Sequence, residues 1–299
     1  MKYYFVLILL LFCFTFSFLN AFALKNWKGY SMNINTTSDS DSTVFRKRSI
    51  TAGVNFGSDF QFFGRTGPIT YPYLSTDAIY NFKSGFFLYG SGVKVLGYKP
   101  LVDELDVGGG YFFTYLKKIS GSISYTRFIF NKDAADVIKS ASSNDINLKS
   151  TFNWKFAKSS VTFDYLFGKA NDYFITINTS KYIETDWSIF DDKDYLTFNP
   201  TISGIFGTQN FVGNYASNYS FFLNNNPPPA PGTKDLEANK YNNGRFTALN
   251  YSFKLPIAYN RPHYTIEASW KYSIPVDVEG ILKNRHELFF NLTFYYVFF

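Results

Sequence analysis

Residues that carry reactive chemistry are scarce in this 299-residue chain. It has one cysteine, Cys13, and two histidines, His263 and His286. Cys13 lies in an apolar N-terminal segment, behind a bulky Phe12 where lipid attachment wants a small residue. The rest of the chain therefore offers neither a thiolate nor a disulfide framework. The histidines start two different strand-like segments, and no Ser or Asp motif accompanies either, so no nucleophile–base–orienter set emerges. Metal-ligand spacing is also missing. No catalytic, cofactor-binding or metal-binding residue is expected, and the chain is read as a non-enzyme without a cofactor. Past residue 23 no apolar run approaches the ~18 residues of a membrane helix, which excludes a helical membrane protein.

The N-terminus sets the compartment. Lys2, the apolar stretch Val6 to Leu19 and the small-x-small sequence Ala21-Phe22-Ala23 form a secretory signal layout. Residues 1–23 are expected to be removed, and residues 24–47, rich in Ser, Thr, Asn and Asp, to form a polar periplasmic lead-in. The formal charge is +6, or +5 without Lys2, and the pI is about 9.0. The only basic cluster is Arg46-Lys47-Arg48. Scattered rim and lumen lysines account for the charge, and no nucleic-acid partner is expected.

Aromatics are abundant: 36 Phe and 24 Tyr contribute to an aromatic share of 21%. Such residues favour strands, yet mean hydropathy is only −0.12. Alternation explains both. Ile50, Ala52, Val54 and Phe56 alternate with Thr51, Gly53 and Asn55. Tyr264, Ile266, Ala268, Trp270 and Tyr272 alternate with Thr265, Glu267, Ser269 and Lys271. Leu288, Phe290, Leu292, Phe294, Tyr296 and Phe298 alternate with a more polar set that includes Glu287, Asn291 and Thr293. A period of two with one apolar face predicts strands. An apolar exterior around a polar interior predicts an all-β, closed, antiparallel transmembrane β-barrel over residues 48–299.

The pattern predicts twelve strands: 48–62, 70–82, 85–97, 103–116, 118–130, 144–157, 159–169, 172–183, 194–206, 243–258, 262–275 and 285–299. Long external and short periplasmic connections follow for an even count with both termini in the periplasm. Two connections break this pattern, the short Lys169-Ala170-Asn171 and the long Glu184 to Lys193, so ten strands remain the alternative. The 207–242 connection carries the turn-rich run Asn224 to Gly232, in which the prolines forbid a strand. It is expected to be a long external loop, with inward folding as the second possibility. Gly108-Gly109-Gly110, mid-strand with no helix behind it, suits close packing rather than phosphate binding.

By parity Asp77, Lys94, Asp106, Lys149, Lys155, Asp164, Lys254, Glu267, Lys271 and Glu287 point into the lumen. The third strand can be read in either parity, and the one placing Lys94 inside is taken. Balanced charge implies weak selectivity. The expected function is a passive, porin-like channel for small polar solutes. A closed-lumen barrel working through external loops in adhesion or assembly is the alternative, and a hydrolase is the least supported reading.

The last residues, Phe294-Tyr295-Tyr296-Val297-Phe298-Phe299, resemble the terminal strand of Gram-negative outer-membrane barrels, whose final aromatic is read by the barrel-insertion machinery. The resemblance implies that machinery as a partner through Phe299, with the lipid bilayer and lipopolysaccharide around the barrel. Phe298 rather than Phe299 shares the apolar parity, so Phe299 is an overhang or the strand is bulged. Further motifs, Ser58-Asp59-Phe60, Phe62-Phe63-Gly64-Arg65, Ser84 to Ser91 and Glu104 to Tyr111, resemble the TorF-type family of porins of unknown substrate.

Overall fold

A computed structural model describes residues 48–66, 70–115, 118–134, 142–210, 245–278 and 286–299. The expected signal peptide, the lead-in and nearly all of the 207–242 connection lie outside the described residues. Among the described residues the elements are all strands: β1 (Ser49–Gly57), β2 (Gln61–Phe62), β3 (Arg65–Thr66), β4 (Tyr73–Asn81), β5 (Phe86–Val95), β6 (Glu104–Tyr115), β7 (Ile119–Phe130), β8 (Ser142–Asn153), β9 (Lys158–Gly168), β10 (Asp172–Ser180), β11 (Ile183–Glu184), β12 (Tyr195–Phe198), β13 (Thr201–Gly207), β14 (Thr247–Asn260), β15 (Tyr264–Pro275) and β16 (Glu287–Phe298).

All but β2 and β3 belong to one antiparallel sheet. It closes because β1 pairs with both β4 and β16, Ile50 facing Phe298 and Gly57 facing Asn291. Two staves are built from two pieces each. β11 extends β10, and β12 with β13 forms the next stave, so the sheet is a twelve-stave barrel. The break between β12 and β13 has a covalent cause: Pro200 has no N–H to donate. The Asn199 N–H bridges the gap by donating to the carbonyl of Pro256 on β14. The ten-strand alternative is thereby excluded.

The outer face is apolar. Val54, Ile123, Leu148, Ile177, Ile202 and Leu292 are exposed on it, while their neighbours Gly53, Ser122, Asn147, Asn178, Ser203 and Asn291 face the interior through the register. Aromatics lie towards both ends of this face, Tyr115, Trp154, Phe156 and Phe190 at one and Tyr98 and Tyr272 at the other. This is the girdle arrangement of membrane barrels. Closure removes the free sheet edge, whose ladder groups lipid could not satisfy.

Under the expected placement of both termini in the periplasm, the connections 82–85, 154–157 and 261–263 are the periplasmic ones, and they are tight. The two connections that broke the expected pattern keep their lengths: 169–171 is short and external, and 185–194 is long and periplasmic. The latter is ordered by Asp194. Its carboxylate accepts hydrogen bonds from the backbone of Ile189 at 2.7 Å and Phe190 at 2.9 Å, and from the Tyr259 hydroxyl at 2.9 Å. Arg261 pairs with Asp191 in the same connection. Burial pushes the Asp194 carboxyl up, but these donors outweigh it and hold the group below its usual range. The register of β16 with both neighbours is continuous to Phe298 against β1, so Phe299 is an overhang beyond the last pair.

Candidate functional site: the lumen and its inward hairpin

The first external connection is the largest departure from expectation. β1 ends at Gly57 rather than running to residue 62, and β2 and β3 form a separate small hairpin. Its turn is Phe63-Gly64, with φ of 42° and 80°. Two left-handed residues in succession match a type I′ turn. Phenylalanine is an uncommon occupant there. It is held by stacking on Phe174 of β10, ring centroids 3.8 Å apart and 13° from parallel. At Gly64 a Cβ would lie 2.5 Å from the Asn250 Cβ, so only glycine allows the hairpin so close to the wall.

The hairpin is folded into the barrel. Arg65, 6% exposed, donates to Gln209 Oε1 from Nε at 3.1 Å and Nη2 at 2.8 Å, to the Leu249 carbonyl at 2.6 Å and to the Asp277 carbonyl at 3.3 Å. Thr66 donates to Glu287, Lys271 to Gln61, Gln61 to Ser273 at 3.3 Å, and Asn250 to the Gly64 carbonyl at 3.2 Å. Phe62 and Phe63 cover the fully buried Leu166, Phe174 and Leu249. At its base, Phe60 and Tyr71 pack on Val93 and Val95. The tip meets β10, which lies almost diametrically across a twelve-stave barrel from β1. The hairpin therefore crosses the lumen near its external end.

The register gives the position of eight of the ten residues expected in the lumen and keeps them on the inner face. Asp77 faces Gly53 and Ser91, and Ser91 faces Asp106 and donates to it at 2.8 Å. Lys149 faces Ser122 and Thr162. Asp164 faces Asn147, which donates to it at 2.6 Å. Lys254 faces Lys271 directly across the β14–β15 pair, and it is relieved by an ion pair with Glu267 at 3.5 Å. Lys271 lies 5.6 Å from the centre of the Phe289 ring, and Glu287 lies opposite Ser273.

Two expected lumen residues are elsewhere. Lys94 faces Leu74 across β4 and β5, so it is on the outer side at the rim, where it pairs with Asp103 at 3.4 Å. The parity taken for that strand was inverted, because its inward residues Phe87, Tyr89, Val93 and Val95 are as apolar as its outward ones. Lys155 lies in the exposed periplasmic turn after Asn153, where β8 ends earlier than expected.

Two carboxylates that parity could have flagged join the lumen, Glu104 beside Asp106 on β6 and Asp145 opposite Thr126 on β8. The hairpin adds Arg65. Two cations leave the set and two carboxylates enter it, so the expected balance gives way to segregation. Five carboxylates, Asp77, Glu104, Asp106, Asp145 and Asp164, line β4 to β9, where Lys149 is the one expected lumen cation that remains. Lys254, Lys271 and Arg65 sit with Glu267 and Glu287 at the β14–β16 side.

The same wall carries rings. Phe87 stacks with Phe112 at 4.4 Å, and Tyr89 is bonded to Thr126. Opposite them on β6 stand Gly110 and Gly108. A Cβ at Gly110 would lie 2.6 Å from the Phe87 Cζ and 2.3 Å from a backbone oxygen. Gly108 and Gly110 of the triplet thus provide seats for inward aromatic rings, which their sequence position did not reveal.

His263 packs near Tyr296 and Phe299 at the periplasmic end, and His286 contacts the Tyr272 hydroxyl at 2.6 Å at the external end. These observations define a transmembrane β-barrel with a charged, asymmetric lumen and an inserted external hairpin. No protein-family profile matches the chain, and no curated protein does. Among solved structures it is similar to a KdgM porin, with 8% identity over 83% of this chain and 99% of that chain and a TM-score of 0.45. It is also similar to a NanC porin, with 9% identity, 84% and 99% covered and a TM-score of 0.43. A third is the COG4313 outer membrane channel from Pseudomonas putida F1, with 10% identity, 87% and 100% covered and a TM-score of 0.42.

Proposed function

We propose that the chain is a passive channel of the outer membrane of a Gram-negative bacterium, passing small polar solutes through a lumen narrowed by the β2–β3 hairpin. The observation that supports this best is the hairpin itself. It is fixed across the lumen near its external end by buried polar contacts, and it leaves a carboxylate-rich wall from β4 to β9 opposite its polar anchors. Passive transfer needs a polar lining with weak, multiple sites rather than a nucleophile and base. The apolar belt supports lipid as the surroundings of the barrel, and the proposal includes lipopolysaccharide at its external rim. Phe299, exposed beyond the last β16 pair, is the residue that the insertion machinery would read.

Single-channel recording of the refolded chain in planar bilayers tests the reading. Discrete, stable conductance steps are the expected result. Absence of current over many verified insertions would overturn it.

A further inference from the structure

Asp145 of β8 is 8% exposed, faces the lumen, and carries a buried oxygen without a hydrogen-bond partner. One oxygen of Asp77 on β4 and one of Asp106 on β6 are in the same condition. Asp164 on β9 is the diagonal neighbour of Asp145 across the pair that joins Asp145 to Leu166 and Asn147 to Asp164, a separation of about 8 Å. Lys149, the cation of the β8 lumen face, is four residues further down, about 13 Å along the strand. The Ser91 and Asn147 donors fix two of these carboxylates in orientation without changing their charge. A row of carboxyl groups turned into one lumen, with acceptors to spare, is suited to a cationic ligand.

The spacing limits what that ligand is. Among the described residues no group of carboxylates and histidines is close enough to hold a bare metal ion. Strands are about 4.8 Å apart, so carboxylates on every second stave stand about 10 Å from each other. An extended molecule with several N–H donors can span such gaps, whereas a single compact ion meets one carboxylate at a time. On the same wall the Tyr89 ring, in one register row with Asp145, and the Phe87 ring two residues further along β5 offer π faces, which attract ammonium groups and cover methylene spacers.

We propose that the β4–β9 wall of the lumen binds organic polycations, amines separated by short methylene chains, with Asp145 and Asp106 accepting from the ammonium groups and Tyr89 and Phe87 packing on the spacers. This rests on the channel reading for its purpose but not for its test. The ammonium groups exchange one carboxylate for the next as the solute moves towards the periplasm.

The test is calorimetric titration of spermidine into the refolded barrel in zwitterionic detergent, with planar-bilayer recording alongside. Saturable binding is expected. Asp145→Asn should weaken it at least tenfold, and Tyr89→Leu severalfold. Asp192→Asn, a charge removed in the exposed periplasmic connection, should leave it unchanged. Each variant must first show native strand content. No saturable heat, equal weakening by Asp192→Asn, or displacement by magnesium at equal concentration would each overturn the proposal. Conductance without spermidine binding would sink this inference and leave the channel standing. Binding without conductance would sink the channel and leave the site.

Discussion

Replacing Leu292 by arginine probes the assignment of the lipid face. Leu292 is the sixth of the twelve residues of β16 and is 45% exposed on the outer face. At ~3.4 Å per residue the strand is about 37 Å long, and a tilt near 40° turns that into about 28 Å of membrane depth. Leu292 then lies within a few Å of the midplane. An arginine on the lipid face at that depth costs about 2–4 kcal/mol, a shift of roughly 30- to 700-fold in the folding equilibrium. The adjacent Asn291 faces Ser269 and Gly57 across its two neighbours, inside the barrel. There an arginine meets a polar wall and costs less than about 1 kcal/mol. Denaturant titration of both variants refolded into phospholipid vesicles, followed by tryptophan fluorescence, compares them directly. Equal costs, or a larger cost for Asn291→Arg, would refute the assignment.

Three further outcomes follow from other parts of the barrel. Gly110→Val places a Cβ against the Phe87 ring and should destabilise by about 1–3 kcal/mol in the same titration; an unchanged midpoint would mean that Phe87 is not seated there. Arg65→Ala removes the donors to Gln209 and the Asp277 carbonyl and one of the two donors to the Leu249 carbonyl, which keeps the Val276 N–H, and should speed amide exchange over Gln61–Thr66 at least ~30-fold, the equivalent of about 2 kcal/mol; unchanged exchange would show that Arg65 does not anchor the hairpin. The lowered Asp194 group is stabilising above the pH where the unfolded carboxyl ionises, near ~3.9, and loses that effect as pH falls through its folded value. Cleavage of 185–194 by an acid-active protease should therefore rise below about pH 4 in the wild type, and Asp194→Asn should be cleaved equally at pH 3 and pH 5.

The barrel was legible because lipid imposes a period of two on each spanning strand, and that signal is local. Parity failed in β5 because Phe87 and Tyr89 are inward. Their direction is decided by Gly110 and Gly108 across the pair, which only the register shows. Lys155 was misplaced because nothing in Phe152 to Phe156 marks the strand's end, whereas the Trp154–Ala157 turn bond does. The hairpin was read as the top of the first strand. Phe62-Phe63-Gly64-Arg65 has strand-like residues, and its inward fold depends on Gln209, Leu249 and Asp277, at least 144 positions away. Glu104 and Asp145 were within reach of parity, but the expected charge balance drew no attention to them.

The central claim is that a fixed hairpin narrows a conducting lumen. Its most direct test is single-channel conductance of the full chain against a variant with Gln61–Thr66 replaced by Gly-Ser, both refolded and matched for strand content. The account predicts small, steady steps for the full chain and a severalfold larger conductance for the variant. Equal conductance in the two would contradict it, because the hairpin would then lie outside the conducting path.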